Sequence, residues 1–183
     1  MSLTAIILAG GKSSRMGQDK AFIPWKGKRF IEHSIAAAEK VAPRVILSGD
    51  KQRLLEFGLE VIEDVEEGKG PVYGLASCFS QVETENALVL SCDVPQVSAS
   101  DLEYLIQNHE PKVDVTCYAY DGKAMPLIGV YSSSSFEAFI KAVKREEHKL
   151  FTVLSELNVN TIDYKGVDGL MNINTPQDLK ALI

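Results

Sequence analysis

Short apolar runs alternate along the chain with segments whose apolar residues recur at helical spacing. The continuous apolar run from Thr4 to Ala9 ends at two glycines, which is typical of a strand buried on both faces. The same patterns predict further strands at 44–47, 59–62, 86–91, 114–120 and 127–131, and helices at 31–41, 51–57, 71–82, 100–108, 136–144, 151–157 and 175–183. This alternation predicts an α/β protein with a mostly parallel sheet and helices on both faces.

Local turn and cap signals refine this pattern. Asp121-Gly122 lies between two predicted strands and indicates one antiparallel hairpin. The serine run 132–135 is expected to end a strand and to cap the next helix, and Thr175 with Pro176 predicts the start of the last helix. A length of 183 residues fits one domain over residues 1–183.

Composition and charge exclude several classes of protein. Hydrophobic residues make up 45% of the chain, but their runs are too short for a membrane helix, so we expect no membrane partner. Three widely spaced cysteines argue against a disulfide framework or a zinc site and fit a cytoplasmic location. The net charge is −6, yet residues 1–31 carry six lysines and arginines against one aspartate. This distribution predicts a small anionic ligand and no nucleic-acid partner.

The first candidate site is the segment 8–20, which follows the first strand directly and reads LAGGKSSRMGQDK. Its paired glycines let backbone amides approach a phosphate, and Lys12, Arg15 and Lys20 add positive charge. The spacing is neither that of a Walker A loop nor GxGxxG. The alternative is a tight turn with a solvated basic rim, but the whole string after a buried strand favours phosphate binding.

Carboxylates follow two other predicted strands. Asp93 comes after the strand at 86–91, where a carboxylate together with phosphate oxygens suits Mg²⁺, although a turn or cap role is the alternative. Asp64 precedes the glycine-rich segment 68–74, which suits a nucleobase slot about as well as a solvated acidic turn. Cys92 is discounted as a nucleophile, because cysteines on buried strands usually serve packing.

Two asparagines precede the last helix. Asn172 and Asn174 alternate with apolar residues, which places both on the same side of a predicted short strand. Their spacing alone favours a structural role.

Together these motifs resemble the MobA-type molybdenum cofactor guanylyltransferases of the nucleotidyltransferase superfamily. The resemblance covers nearly the whole chain and rests on the segment 8–20, Gly70-Pro71, the segment 92–95 (CDVP) and the segment 172–176 (NINTP). It implies a single-domain Rossmann-like fold. It also implies transfer of GMP from GTP to the terminal phosphate of molybdenum-molybdopterin, with release of pyrophosphate.

The resemblance implies roles for individual residues as well. Ser48 stands where relatives often have an asparagine near the nucleotide, and Met125 where they often have a polar residue before the proline. The implied nucleotide contacts are Leu8, Ala9, Gly10, Gly11, Lys20, Asp64 and Asp93; Asp93 would carry Mg²⁺, and Asn172 and Asn174 would lie toward the pterin or metal side.

The expected chemistry requires charge neutralisation more than proton transfer. A phosphate monoester is largely a dianion at neutral pH, so this nucleophile needs no general base. We therefore expect Arg15, Lys20 and Asp93 to be the catalytic residues. CTP-dependent cytidylyl transfer, sugar-phosphate nucleotidyl transfer and a non-catalytic nucleotide-binding cofactor carrier are the alternatives. Proteins that deliver the cofactor or accept the product are further expected partners.

Overall fold

A central sheet of seven strands is seen in a computed structural model that describes residues 2–10, 19–66, 68–166 and 170–181. Gly11 and Arg15, both predicted site residues, lie outside the described residues. The strands of this sheet are β1 (Leu3–Leu8), β4 (Arg44–Ser48), β5 (Glu60–Ile62), β6 (Asn86–Ser91), β7 (Val115–Tyr120), β8 (Lys123–Ser132) and β9 (Val159–Asp163). A separate pair is formed by β2 (Pro24–Trp25) and β3 (Lys28–Arg29).

The strand order is β5-β4-β1-β6-β8-β7-β9. Strand β1 pairs in parallel with β4 and β6, β4 with β5, and β7 with β9, whereas β8 runs antiparallel to both β6 and β7. The predicted mostly parallel sheet is confirmed. Asp121 and Gly122 form the β7–β8 turn with φ values of 51° and 69°, which confirms the predicted hairpin.

Helices cover both faces of the sheet, as predicted. They are α1 (Phe30–Ala38), α2 (Lys51–Leu54), α3 (Pro71–Phe79), α4 (Ala99–Gln107), α5 (Ser133–Lys144), α6 (Leu150–Leu154) and α7 (Pro176–Ala181), with 3₁₀ turns at Lys20–Phe22 and Leu55–Phe57. Alternation along β1 divides the core: Ala5 and Ile7 pack with residues of α1 and α4, whereas Ile6 and Leu8 pack with residues of α3 and α5. No helix in the described ranges is both long and apolar enough to span a membrane.

Some local predictions are wrong. Ser132 occupies the N-cap position of α5, but its hydroxyl donates to the carbonyl of Asp114 instead of capping the helix. The strands β2, β3 and β9 were not predicted. The segment 171–174 is not a strand, so the expectation that Asn172 and Asn174 share one side of a strand is also wrong.

Candidate functional site

A cavity of about 540 Å³ opens where β1, β4, β5 and β6 end. Because parallel strands place their carboxyl ends at one edge, residues that follow different strands meet there. The cavity is lined by six of the residues predicted to contact the nucleotide, namely Leu8, Ala9, Gly10, Lys20, Asp64 and Asp93. The structure therefore brings together the residues that sequence patterns placed after three separate strands.

Backbone hydrogen bonds hold the end of β1 at the floor of this cavity. The amide of Ala9 donates to the carbonyl of Ser48 at 2.9 Å, and the amide of Cys92 donates to the carbonyl of Leu8 at 3.2 Å. The hydrogen-bond pattern that joins β1 to β4 and β6 thus continues one residue beyond these strands. Gly10 is the next residue after Ala9.

Lys20 and Asp93 form the charged centre of the cavity. Lys20 Nζ lies 3.4 Å from Asp93 Oδ2, and the two side chains are only 20% and 19% exposed. Ser91 Oγ donates to Asp93 Oδ1 at 2.6 Å, which orients the carboxylate. Lys20 also donates to Asn174 Oδ1. At an effective dielectric constant of 20, opposite charges at this separation attract by about 5 kcal/mol. A polyphosphate that binds Lys20 must therefore compensate for the loss of the Lys20–Asp93 ion pair.

Asp19 and Arg53 fix the turn that carries Lys20. Asp19 caps the 3₁₀ turn by accepting a hydrogen bond from the amide of Ala21 at 2.9 Å. Its other carboxylate oxygen pairs with Arg53 of α2, and Arg53 also lies over the ring of Phe22 at 5.0 Å. The segment that presents Lys20 is thereby tied to the element after β4.

Ser48, Asp64 and Gly74 form the opposite wall. Ser48 Oγ donates to Asp64 Oδ1 at 3.0 Å. A Cβ atom at Gly74 would lie 2.8 Å from Ser48 Oγ and 3.0 Å from Asp64 Oδ1, so only glycine lets α3 approach this closely. The contribution of Gly74 was missed by the sequence analysis, which recognised only the glycine-rich character of the segment.

The segment before α7 docks onto the same centre. The amide of Ile173 donates to the carbonyl of Asp93 at 2.9 Å, and the Ile173 side chain is buried with Ile23 and Phe30. Asn174 lines the cavity, whereas Asn172 is exposed and lies outside its lining. The structure therefore separates the two asparagines that the sequence analysis had grouped.

Cys92, which lines the cavity, is buried and adjacent to the Asp93 carboxylate. Burial raises the pKa of the Cys92 thiol far above its usual range, and the neighbouring Asp93 carboxylate raises it further. Cys92 is thus a protonated packing residue at neutral pH, as expected. Among the described residues that line the cavity there is no histidine.

The oxygen donors of the cavity suit a hard divalent cation. Within the described ranges, no group of three or more His, Cys, Asp or Glu side chains is arranged to hold a metal ion by itself. A single carboxylate at a polyphosphate site nevertheless fits Mg²⁺, which usually takes one or two carboxylates and completes its shell with waters and phosphates. Among the described residues, the carboxylates that line the cavity are Asp19, Asp64 and Asp93; Asp19 pairs with Arg53, and Asp93 lies beside Lys20.

A mostly parallel α/β sheet with a cavity at its carboxyl edge is the arrangement of doubly wound α/β proteins, which bind their ligands at that edge. The family model of the MobA-like NTP transferase domain matches residues 5–161, so the chain belongs to this family and is a nucleotidyltransferase. The resemblance seen in the sequence motifs is thereby confirmed.

Two curated relatives span almost the whole chain. A probable molybdenum cofactor guanylyltransferase of Carboxydothermus hydrogenoformans is 32% identical, with 100% of this chain and 95% of that protein covered. One of Flavobacterium johnsoniae is 33% identical, with 99% and 96% covered. Among solved structures, molybdopterin-guanine dinucleotide biosynthesis protein A from Archaeoglobus fulgidus has a TM-score of 0.81 at 24% identity, with 98% and 96% of the chains covered. This likeness confirms the fold.

Proposed function

We propose that the protein transfers GMP from GTP to the terminal phosphate of molybdenum-molybdopterin, releasing pyrophosphate and forming the guanine dinucleotide form of the cofactor. The observation that carries the proposal is the Lys20–Asp93 pair at 3.4 Å inside a cavity at the carboxyl edge of the sheet. One group of the pair attracts phosphates, and the other attracts their counter-cation. The choice of guanylyl transfer is supported by the names of the two curated relatives.

In this proposal the nucleotide lies across the end of β1. The backbone at Ala9 and Gly10 lets the phosphates approach closely, and Lys20 neutralises their charge. Asp64 accepts hydrogen bonds from the nucleoside, since a carboxylate is an acceptor only. Gly11 and Arg15 are proposed to add a backbone donor and a second cation.

Asp93 would hold Mg²⁺ in the nucleotide complex. When bound there, Mg²⁺ would withdraw negative charge from the phosphates and help stabilise the leaving pyrophosphate. The hydrogen bond from Ser91 to Asp93 Oδ1 orients the carboxylate, whose Oδ2 lies beside Lys20.

The reaction is a phosphoryl substitution. An oxygen of the terminal phosphate of molybdopterin forms a bond to the α-phosphorus of GTP, and the bond from that phosphorus to the bridging oxygen breaks, so pyrophosphate leaves with the electron pair. Two unit charges 4 Å apart repel by about 4 kcal/mol at an effective dielectric constant of 20, and Lys20 offsets this repulsion between dianion and triphosphate.

The second substrate would bind on the side of the cavity that carries Asp93 and Asn174. Asn174 borders the side of the cavity where Asp93 lies, and the pterin phosphate would approach there, while Asn172 would lie further out. Proteins that deliver the cofactor or take up the product are proposed partners, and the cytoplasm is the proposed compartment.

Pyrophosphate release tests the proposal directly. Purified protein is mixed with Mg²⁺ and GTP, CTP or UTP, with and without molybdenum-molybdopterin, and pyrophosphate and dinucleotide are quantified. We expect equal amounts of both products with GTP, and none when molybdopterin is omitted. Preference for CTP would instead identify a cytidylyltransferase. Turnover with a sugar phosphate would identify a different acceptor, and nucleotide binding without turnover would identify a carrier.

A further inference from the structure

Two residues that are 154 positions apart meet inside the cavity. Lys20 Nζ donates a hydrogen bond to Asn174 Oδ1, and this bond is partly buried. The same ammonium lies 3.4 Å from Asp93 Oδ2. Lys20 is therefore held between one charged and one neutral acceptor.

The neutral acceptor differs chemically from the charged one. A carboxylate attracts the ammonium but also cancels its charge, whereas an amide oxygen orients the ammonium and leaves its full charge for another anion. If Asp93 turns to a cation, Asn174 is the remaining protein acceptor on Lys20 among the described contacts. A lysine side chain is long and flexible, and holding it beforehand reduces the entropy lost when it binds a phosphate.

The backbone around Asn174 is itself held firmly. Asp178 Oδ2 accepts hydrogen bonds from the amides of Asn174 at 2.9 Å and Thr175 at 2.8 Å. These bonds lower the pKa of the Asp178 carboxyl, which therefore stays ionised at neutral pH. The preceding residue, Ile173, is fully buried and donates its amide to the carbonyl of Asp93. The amide side chain of Asn174 thus projects from an anchored segment.

We infer that Asn174 is a positioning residue that holds the Lys20 ammonium toward the nucleotide phosphates. The inference rests on the proposed function, because it takes Lys20 as the phosphate-binding cation. It assigns Asn174 to nucleotide binding through Lys20, in addition to the pterin side of the cavity. Asn172, which is exposed and two residues away, has no such role and supplies a matched control.

A double-mutant cycle tests this coupling without the second substrate. The Kd for GTP with Mg²⁺ is measured by calorimetry for the wild type and for Asn174→Ala, Asn172→Ala, Lys20→Met and the Asn174→Ala/Lys20→Met double variant. Removal of one positioning contact is expected to weaken binding about three- to tenfold in the presence of Lys20. The same substitution is expected to have no further effect in the Lys20→Met background. Asn172→Ala is expected to bind GTP like the wild type.

A charge-specific variant sharpens the test. Asn174→Asp keeps the shape and an acceptor oxygen but adds a negative charge beside the phosphates, so it is expected to weaken binding more than Asn174→Ala does. Asn174→Ser, whose hydroxyl is too short to reach Lys20, replaces Asn174→Ala if the alanine variant does not fold.

Two results would overturn the inference. Unchanged GTP affinity in Asn174→Ala with a raised KM for molybdopterin would place Asn174 solely with the second substrate. An equal loss of affinity with and without Lys20 would indicate a general structural effect. Either result is distinct from failure of the proposed function, which appears in the wild-type protein as an absence of GTP binding or of GMP transfer.

Discussion

Replacement of Gly74 by alanine tests how closely α3 approaches the end of β4. By helix propensity alone, alanine inside a helix is favoured over glycine by about 1 kcal/mol. Against this gain stands the new Cβ, which would lie 2.8 Å from Ser48 Oγ, 3.0 Å from Asp64 Oδ1 and 3.3 Å from Leu8 Cδ2. The first contact is shorter than a Cβ tolerates, so the Ser48 hydroxyl must move.

The magnitude follows from the hydrogen bond that this movement breaks. Ser48 Oγ donates to the Asp64 carboxylate at 3.0 Å, and a bond to a charged acceptor contributes about 1.5–3 kcal/mol. Subtracting the propensity gain leaves a net loss of about 0.5–2 kcal/mol in the free energy of unfolding. For a chain of this size we expect a decrease in Tm of about 1–8 °C.

The assay is thermal and denaturant unfolding of Gly74→Ala, Ser48→Ala and the double variant. Each single variant already loses the hydrogen bond between Ser48 and Asp64, so the double variant cannot lose it again. The double variant is therefore expected to be no less stable than Gly74→Ala. Gly10→Ala is the matched control for stability, since a Cβ there would lie at an ordinary 3.6 Å from Asp64 Oδ2. A Gly74→Ala variant more stable than the wild type, or strictly additive losses in the double variant, would refute the steric conflict expected at Gly74.

Three further predictions concern single side chains. Asp93→Asn is expected to lower kcat for GMP transfer about 100-fold or more and to abolish the Mg²⁺ dependence of the rate; near-normal turnover would remove Asp93 from the mechanism. Cys92→Ala is expected to retain transfer activity in initial-rate assays, because burial keeps the thiol protonated, and a large loss would restore the nucleophile hypothesis. Burial lowers the pKa of His109 below its ordinary value of 6.5, and its Nε2 has no hydrogen-bond partner among the described residues. The unfolded chain then binds a proton more readily than the folded one, so stability should fall as the pH drops below about 6.5, and denaturant unfolding of His109→Gln should show a smaller fall.

The elements that sequence patterns located best are those buried on both faces. Strand β6 occupies the predicted residues 86–91, because a continuous apolar run between polar turns has few other solutions. Strand β9 was missed, since Val159–Asp163 lies at the sheet edge, where only part of each side chain is buried and the apolar signal is weak. The two-residue strands β2 and β3 are too short to show any periodicity.

From the sequence, only those residues of the candidate site that directly follow a predicted strand could be found. Asp64 and Asp93 were located because carboxyl ends of parallel strands converge on one edge. The contact between Lys20 and Asn174 depends on how distant segments pack, and no local pattern records it. The same holds for Gly74, because the atoms that a Cβ would meet there belong to Ser48, Asp64 and Leu8 and not to its own helix.

The pairing of Lys20 with Asn174 also bears on the order of folding events. Joining segments this far apart in the chain costs more loop-closure entropy than a local contact does, so we expect this contact to form late in folding. A nucleotide that recognises only the finished pocket therefore lowers the energy of the native state without assisting the transition state. Bound nucleotide should slow unfolding while leaving the refolding rate almost unchanged, and so lengthen the lifetime of the enzyme against proteolysis.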